Sequence, residues 1–177
     1  MKQESQEKIE IAKLFAERKF KESNINNHFL EVFDILKNDF KVQDIDVLIA
    51  GLLHDTIEDT NTSYEEIDKI FGKNIANMVD EVSHPKNYNA EQKKEYYEKI
   101  KYISWGGKMI KLADFKSHLQ KFIGAFTGEN SLKKFTHNEY CLYIRSFLNS
   151  CENSIAKDDV SKLNDQLDNF ILNNMQV

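Results

Sequence analysis

Apolar residues along this chain recur every third or fourth position rather than every second, the period of helices that each turn one face to a core. The spacing predicts helices over about residues 5–19, 28–38, 44–57, 63–71, 73–83, 91–103, 107–122, 138–156 and 158–173, and no strand. Several ends carry their own signals. Ser63-Tyr64-Glu65-Glu66 has the form of a capping box, Gly72 is placed to stop the helix before it, and His84-Pro85 to stop the next. With one proline and six glycines the chain has few interruptions, and Gly124 to Thr136 reads as a long loop. The fold class is all-α, a compact multi-helix bundle of about eight to ten helices, and residues 1–177 are expected to form a single domain.

Composition agrees with a packed core, since 41% apolar and 30% charged residues is ordinary globular usage. Met1 to Glu10 is charged and lacks the apolar segment of a signal peptide, and no uninterrupted run approaches the roughly 18 apolar residues of a membrane span. A cytoplasmic location without a membrane partner is expected. Cys141 and Cys151 fall in one predicted helix, and a separation of about 15 Å along it is beyond disulfide reach, which makes them free thiols. Twelve phenylalanines against seven tyrosines and one tryptophan point to core packing rather than a stacking platform.

One segment breaks the apolar pattern with chemistry. In Gly51-Leu52-Leu53-His54-Asp55-Thr56-Ile57-Glu58-Asp59-Thr60 an apolar run ends in a histidine and three carboxylates. Such a cluster is costly through repulsion and desolvation unless something positive lies among its members, and a metal ion is the simplest candidate. On a continuous helix His54 would stack on Glu58 and Asp55 on Asp59, giving two columns with ligands at the base and an acid or base one turn further. Two ligands do not close a site. His28, near a helix start, and Asp114, inside a strongly apolar helix, would complete a mixed imidazole and carboxylate set suited to manganese, iron or zinc.

The pattern His28…His54-Asp55…Asp114 with Glu58-Asp59 resembles the HD phosphohydrolase superfamily, and in particular its RelA/SpoT-type alarmone hydrolases. The words HDTIEDT, the segment from Phe71 to Ser83 ending in EVS, and GKMIKLAD from Gly107 to Asp114 carry the resemblance. At 177 residues the chain is similar to the hydrolase domain alone, as in the small alarmone hydrolases of the metazoan SpoT homologue type. The resemblance implies an HD fold and a manganese ion held by His28, His54, Asp55 and Asp114. It also implies Glu58 and Asp59 as catalytic carboxylates, and removal of the 3′ pyrophosphate from guanosine tetra- or pentaphosphate.

The partner implied is a small-molecule nucleotide, not a nucleic acid, and the sequence sets no oligomeric state. Against the formal net charge of −5, the resemblance places the basic contacts to the substrate at Arg18, Lys19 and Lys21, with Tyr140 lining the nucleotide. Lys111 and His118, three residues before and four after Asp114, share its helix face and are expected at the substrate pocket, where His118 could also approach the metal. His118 and Gln120 stand where these hydrolases carry an asparagine that contacts the sugar and an arginine, and Glu22 to Phe29 replaces a Gly-x-Pro-Tyr-x-x-His-Pro segment. His84 and His137 have no assigned role. These departures leave room for another phosphorylated nucleotide, such as NADPH or a deoxynucleotide. A non-catalytic binding module is the remaining alternative, opposed by the complete ligand set.

Overall fold

The structure, a computed structural model, describes residues 2–23, 27–85, 87–125, 131–151 and 157–175, with side chains over 3–23, 27–85, 87–121, 141–151 and 158–169. Every regular element among the described residues is helical. In chain order these are α1 (Lys2–Glu22), α2 (His28–Asp34) running into a π-helical turn (Ile35–Asp39), α3 (Ile45–Leu53), α4 (Thr56–Asp59), α5 (Tyr64–Phe71) and α6 (Lys73–Val82). There follow α7 (Ala90–Lys99) with a 3-10 turn (Ile100–Tyr102), α8 (Trp105–Ala125), α9 (Ser131–Cys151) and α10 (Lys157–Met175).

The centre of the bundle is α3. Val47 to Leu53 are all buried, so this helix is apolar on every side and needs neighbours all round. It packs against α1, α2, α6 and α8. From α1 come Ile9, Ala12, Phe15, Ala16 and Phe20, at the three- and four-residue spacing of one helical face. Phe29 of α2 and Phe115 of α8 are fully buried, each worth roughly 1.5–3 kcal/mol of transfer free energy. The C-terminus of α3, the N-terminus of α2 and the middle of α8 are thereby brought to one place.

Local chemistry sets the helix ends. The Asp44 side chain accepts from the N–H groups of Asp46 and Val47, capping α3. Gly72, at φ +93°, adopts a conformation that favours glycine and separates α5 from α6. Ser63 accepts from the Glu66 N–H at 3.3 Å, but only this half of the expected capping box forms. The Glu66 carboxylate instead meets Lys19 of α1 at 2.9 Å, a charge-assisted bond across the fold. The complete box lies at Asn89 and Gln92, starting α7.

Two predicted elements are revised. The helix expected over 44–57 is interrupted at His54-Asp55, between α3 and α4. There His54 Nδ1–H donates to the Gly51 carbonyl at 2.9 Å and Thr56 Oγ1 to the Leu53 carbonyl at 2.6 Å. These are acceptors that a continuous helix would reserve for backbone N–H groups. The long loop expected over Gly124–Thr136 is narrower, because α8 runs to Ala125 and α9 begins at Ser131, where Leu132 and Phe135 extend the apolar spacing of that helix backward. Residues 126–130 lie outside the described residues. No helix among the described residues is long and apolar enough to cross a membrane, and Cys141 and Cys151 are buried free thiols.

Candidate metal centre and active site

Three helices deliver the cluster. His28 opens α2, His54 and Asp55 occupy the break after α3, and Asp114 sits in the middle of α8. The ligand atoms of His28, His54 and Asp55 lie within 4.8 Å of one another, as do those of His28, Asp114 and His118, so His28 belongs to both triads. Ring centroids of His28 and His54 are 5.4 Å apart, edge to face.

The imidazole of His54 is buried and oriented by its bond to the Gly51 carbonyl, which leaves Nε2 facing the site. Nε2 lies 3.0 Å from Asp55 Oδ1, yet the contact lacks hydrogen-bond direction, and this buried nitrogen has no hydrogen-bond partner. Burial opposes a charge on His54, but the Asp55 carboxylate beside it wins and raises its pKa to about 9. A cation between the two groups answers the same need that protonation does.

The second imidazole–carboxylate pair is joined by a hydrogen bond. His28 Nε2 is 3.0 Å from Asp114 Oδ1. On its other side, Ser117 Oγ donates to Glu31 Oε2 at 2.6 Å and lies 3.2 Å from His28 Nδ1. Ser117 thereby holds the His28 ring from behind, with Nε2 turned toward Asp114. Lys121 also meets Glu31 at 2.7 Å. Although burial alone would raise the Asp114 pKa, Lys111, His118 and His28 hold it well below the usual carboxylate range. The buried Lys111 ammonium binds Oδ2 at 2.5 Å and leaves Oδ1 for the site.

Glu58 and Asp59 stand in α4, one turn past the break, and the Asp59 N–H donates to the Asp55 carbonyl at 2.8 Å. Glu58 has a partner that sequence reasoning missed. His84 Nε2 lies 2.6 Å from Glu58 Oε1, and the His84 backbone N–H donates to Oε2 at 3.3 Å. Burial lowers the His84 pKa, but hydrogen bonding and attraction to Glu58 prevail and raise it, favouring an imidazolium–carboxylate pair. Tyr88 and Tyr96 flank the His84 ring, with centroids at 4.2 and 5.3 Å. The only trace of this in the sequence is a histidine before the sole proline, where it marks a helix end as readily as a site.

The residues assigned to the substrate fall in different surroundings. Lys19 is buried against Glu66, 3.4 Å from Asn61 and over the Phe15 ring, so its charge is already answered within the protein. Arg18, exposed, also lies over the Phe15 ring at 5.6 Å, and Lys21 is exposed near the end of α1. Lys111 points into the site but binds Asp114. His118 stacks on His28, with centroids 4.7 Å apart and planes 9° apart. Tyr140 lies outside the residues whose side chains are described.

An all-helical scaffold that converges two imidazole–carboxylate pairs, one of them with a buried ring nitrogen that makes no hydrogen bond, defines a protein whose residues suit a divalent metal. Residues 9–114 match the family model described as HD domain, and the chain belongs to the HD domain family. Guanosine-3′,5′-bis(diphosphate) 3′-pyrophosphohydrolase MESH1 of Danio rerio is 38% identical over 89 residues, covering 50% of this chain and 49% of that protein. Its Homo sapiens counterpart is 40% identical over 89 residues, covering 50% of each. The chain thus spans about half the length of these curated relatives in the matched region. A solved structure described as a metazoan ortholog of SpoT that hydrolyzes ppGpp and plays a role in starvation responses has a TM-score of 0.76 and 26% identity, covering 94% of both chains.

Proposed function

We propose that this protein is a manganese-dependent hydrolase that removes pyrophosphate from the 3′ position of guanosine tetra- or pentaphosphate, leaving GDP or GTP. The observation that carries the metal part is His54 Nε2, buried, without a hydrogen bond, and 3.0 Å from the Asp55 carboxylate. The substrate part is supported by the named activity of the relatives and by the site lying within the matched residues.

His28, His54, Asp55 and Asp114 would hold the ion, with Ser117 and Glu31 fixing the His28 ring from behind. A bound divalent ion polarises a phosphate oxygen and lowers the pKa of nearby water. Glu58, positioned by His84, would accept the proton of the attacking water, and Asp59 would take part in its positioning and in returning a proton to the leaving pyrophosphate. Lys111 neutralises the far oxygen of Asp114, so that the metal side of the site gathers less negative charge against an anionic substrate.

A second reading, hydrolysis of another phosphorylated nucleotide such as NADPH or a deoxynucleotide, is favoured by His118, whose ring lies against His28. A panel of nucleotides incubated with the manganese-loaded protein separates the two. Pyrophosphate released from guanosine tetraphosphate well above the other substrates supports the first, and orthophosphate or triphosphate release from NADPH or a deoxynucleotide replaces it with the second.

A further inference from the structure

We propose that His118 is a fifth protein ligand of the metal, a role that rests on the metal site proposed above and extends it. Its Nδ1 lies 3.5 Å from Asp114 Oδ1, the same oxygen that His28 Nε2 approaches to 3.0 Å. The His118 and His28 rings are stacked, with centroids 4.7 Å apart, so a turn of the partly exposed His118 ring about its χ angles brings both nitrogens onto one ion beside that oxygen. Donor atoms of His28, Asp114 and His118 fall within 4.8 Å of one another. Around an ion with bonds of about 2.1 Å, donors sit about 3.0–4.2 Å apart, the range in which both ring nitrogens approach Asp114 Oδ1.

Helix geometry supplies the second support. Asp114 and His118 are four residues apart on α8 and so project from one face, the relation by which paired side chains on a helix grip a metal. Lys111, one turn before Asp114, occupies Oδ2 at 2.5 Å and leaves Oδ1 as the oxygen that faces both rings. A third imidazole replaces a water in the sphere. It raises affinity and moves the preference toward ions that favour nitrogen, zinc and iron(II) among them, and away from magnesium.

Manganese titration of the metal-stripped protein by calorimetry, with cobalt(II) absorption as a second readout, tests this. His118→Asn keeps a polar side chain of similar reach with a far weaker donor, His118→Ala removes the donor, and Asp55→Ala serves as a reference that loses the core of the site. Both His118 variants are expected to bind manganese about tenfold or more weakly than the wild type and to change the cobalt d–d bands, with unchanged far-UV circular dichroism. Wild-type affinity within twofold and superimposable cobalt spectra in both variants would overturn the fifth ligand while leaving the four-ligand site standing. Failure of the wild type itself to bind manganese or cobalt would overturn both.

Discussion

At the scale of single residues, the proposed site divides into the clustered imidazole and carboxylate groups and the groups that hold them in place. The clustered His28, His54, Asp55 and Asp114 were legible because histidines and carboxylates interrupt an apolar pattern where an unpaired charge is costly. His84, Ser117 and Glu31 were not, because their roles come from contacts across 26 and 86 residues of sequence that no local pattern encodes. Replacing Ser117 by alanine removes the hydroxyl that holds the His28 ring and is expected to weaken manganese binding about 10-fold, as calorimetry would read. His84 yields a prediction with a definite sign. Its pKa is raised in the folded protein, so its pairing with Glu58 stabilises fully below pH 6.5 and is lost as pH rises through the raised value. Thermal melts of wild type and His84→Gln should therefore differ most at acidic pH and converge as the solution becomes alkaline. A gap that stays constant across pH would show that the pair contributes nothing through charge.

Elements carry the site by where they stop. Most helix boundaries followed from apolar spacing and from glycine or proline signals, and Gly72 and the end of α6 fall where those signals stand. The break at His54-Asp55 was hidden because side-chain hydrogen bonds to Gly51 and Leu53, not a breaker residue, create it. The half-formed box at Ser63 has a similar cause, since Lys19 competes for Glu66 from another helix. Gly51 shows how tightly α3 is set against its neighbours. A Cβ there would lie 2.4 Å from Leu36 Cδ1, and Leu36 is fully buried. Alanine gains about 1 kcal/mol of helix propensity but meets an overpacking cost of about 1–3 kcal/mol. Gly51→Ala is expected to lower the urea midpoint, with a net loss of about 1 kcal/mol and an unchanged slope. A rise in the midpoint would show that Leu36 repacks without penalty.

For the whole molecule, the net charge of −5 makes local arrangement decisive for an anionic substrate. The basic groups divide between those already spent inside the protein, such as Lys19 and Lys111, and exposed ones such as Arg18 and Lys21. Because the metal would bind only the folded site, manganese at 100 times its dissociation constant should add about 2.7 kcal/mol, or roughly 5–10 °C in melting temperature. A chelator should reverse the shift, and Asp55→Ala should show none. The most direct measurement of the central proposal is a time course of guanosine tetraphosphate with the manganese-loaded protein, products resolved by anion-exchange chromatography. GDP and pyrophosphate appearing in equal amounts, with loss of about 1000-fold or more in Asp55→Ala and about 100-fold or more in Glu58→Gln, is the expected result. Intact guanosine tetraphosphate after prolonged incubation with manganese-bound wild type would contradict it.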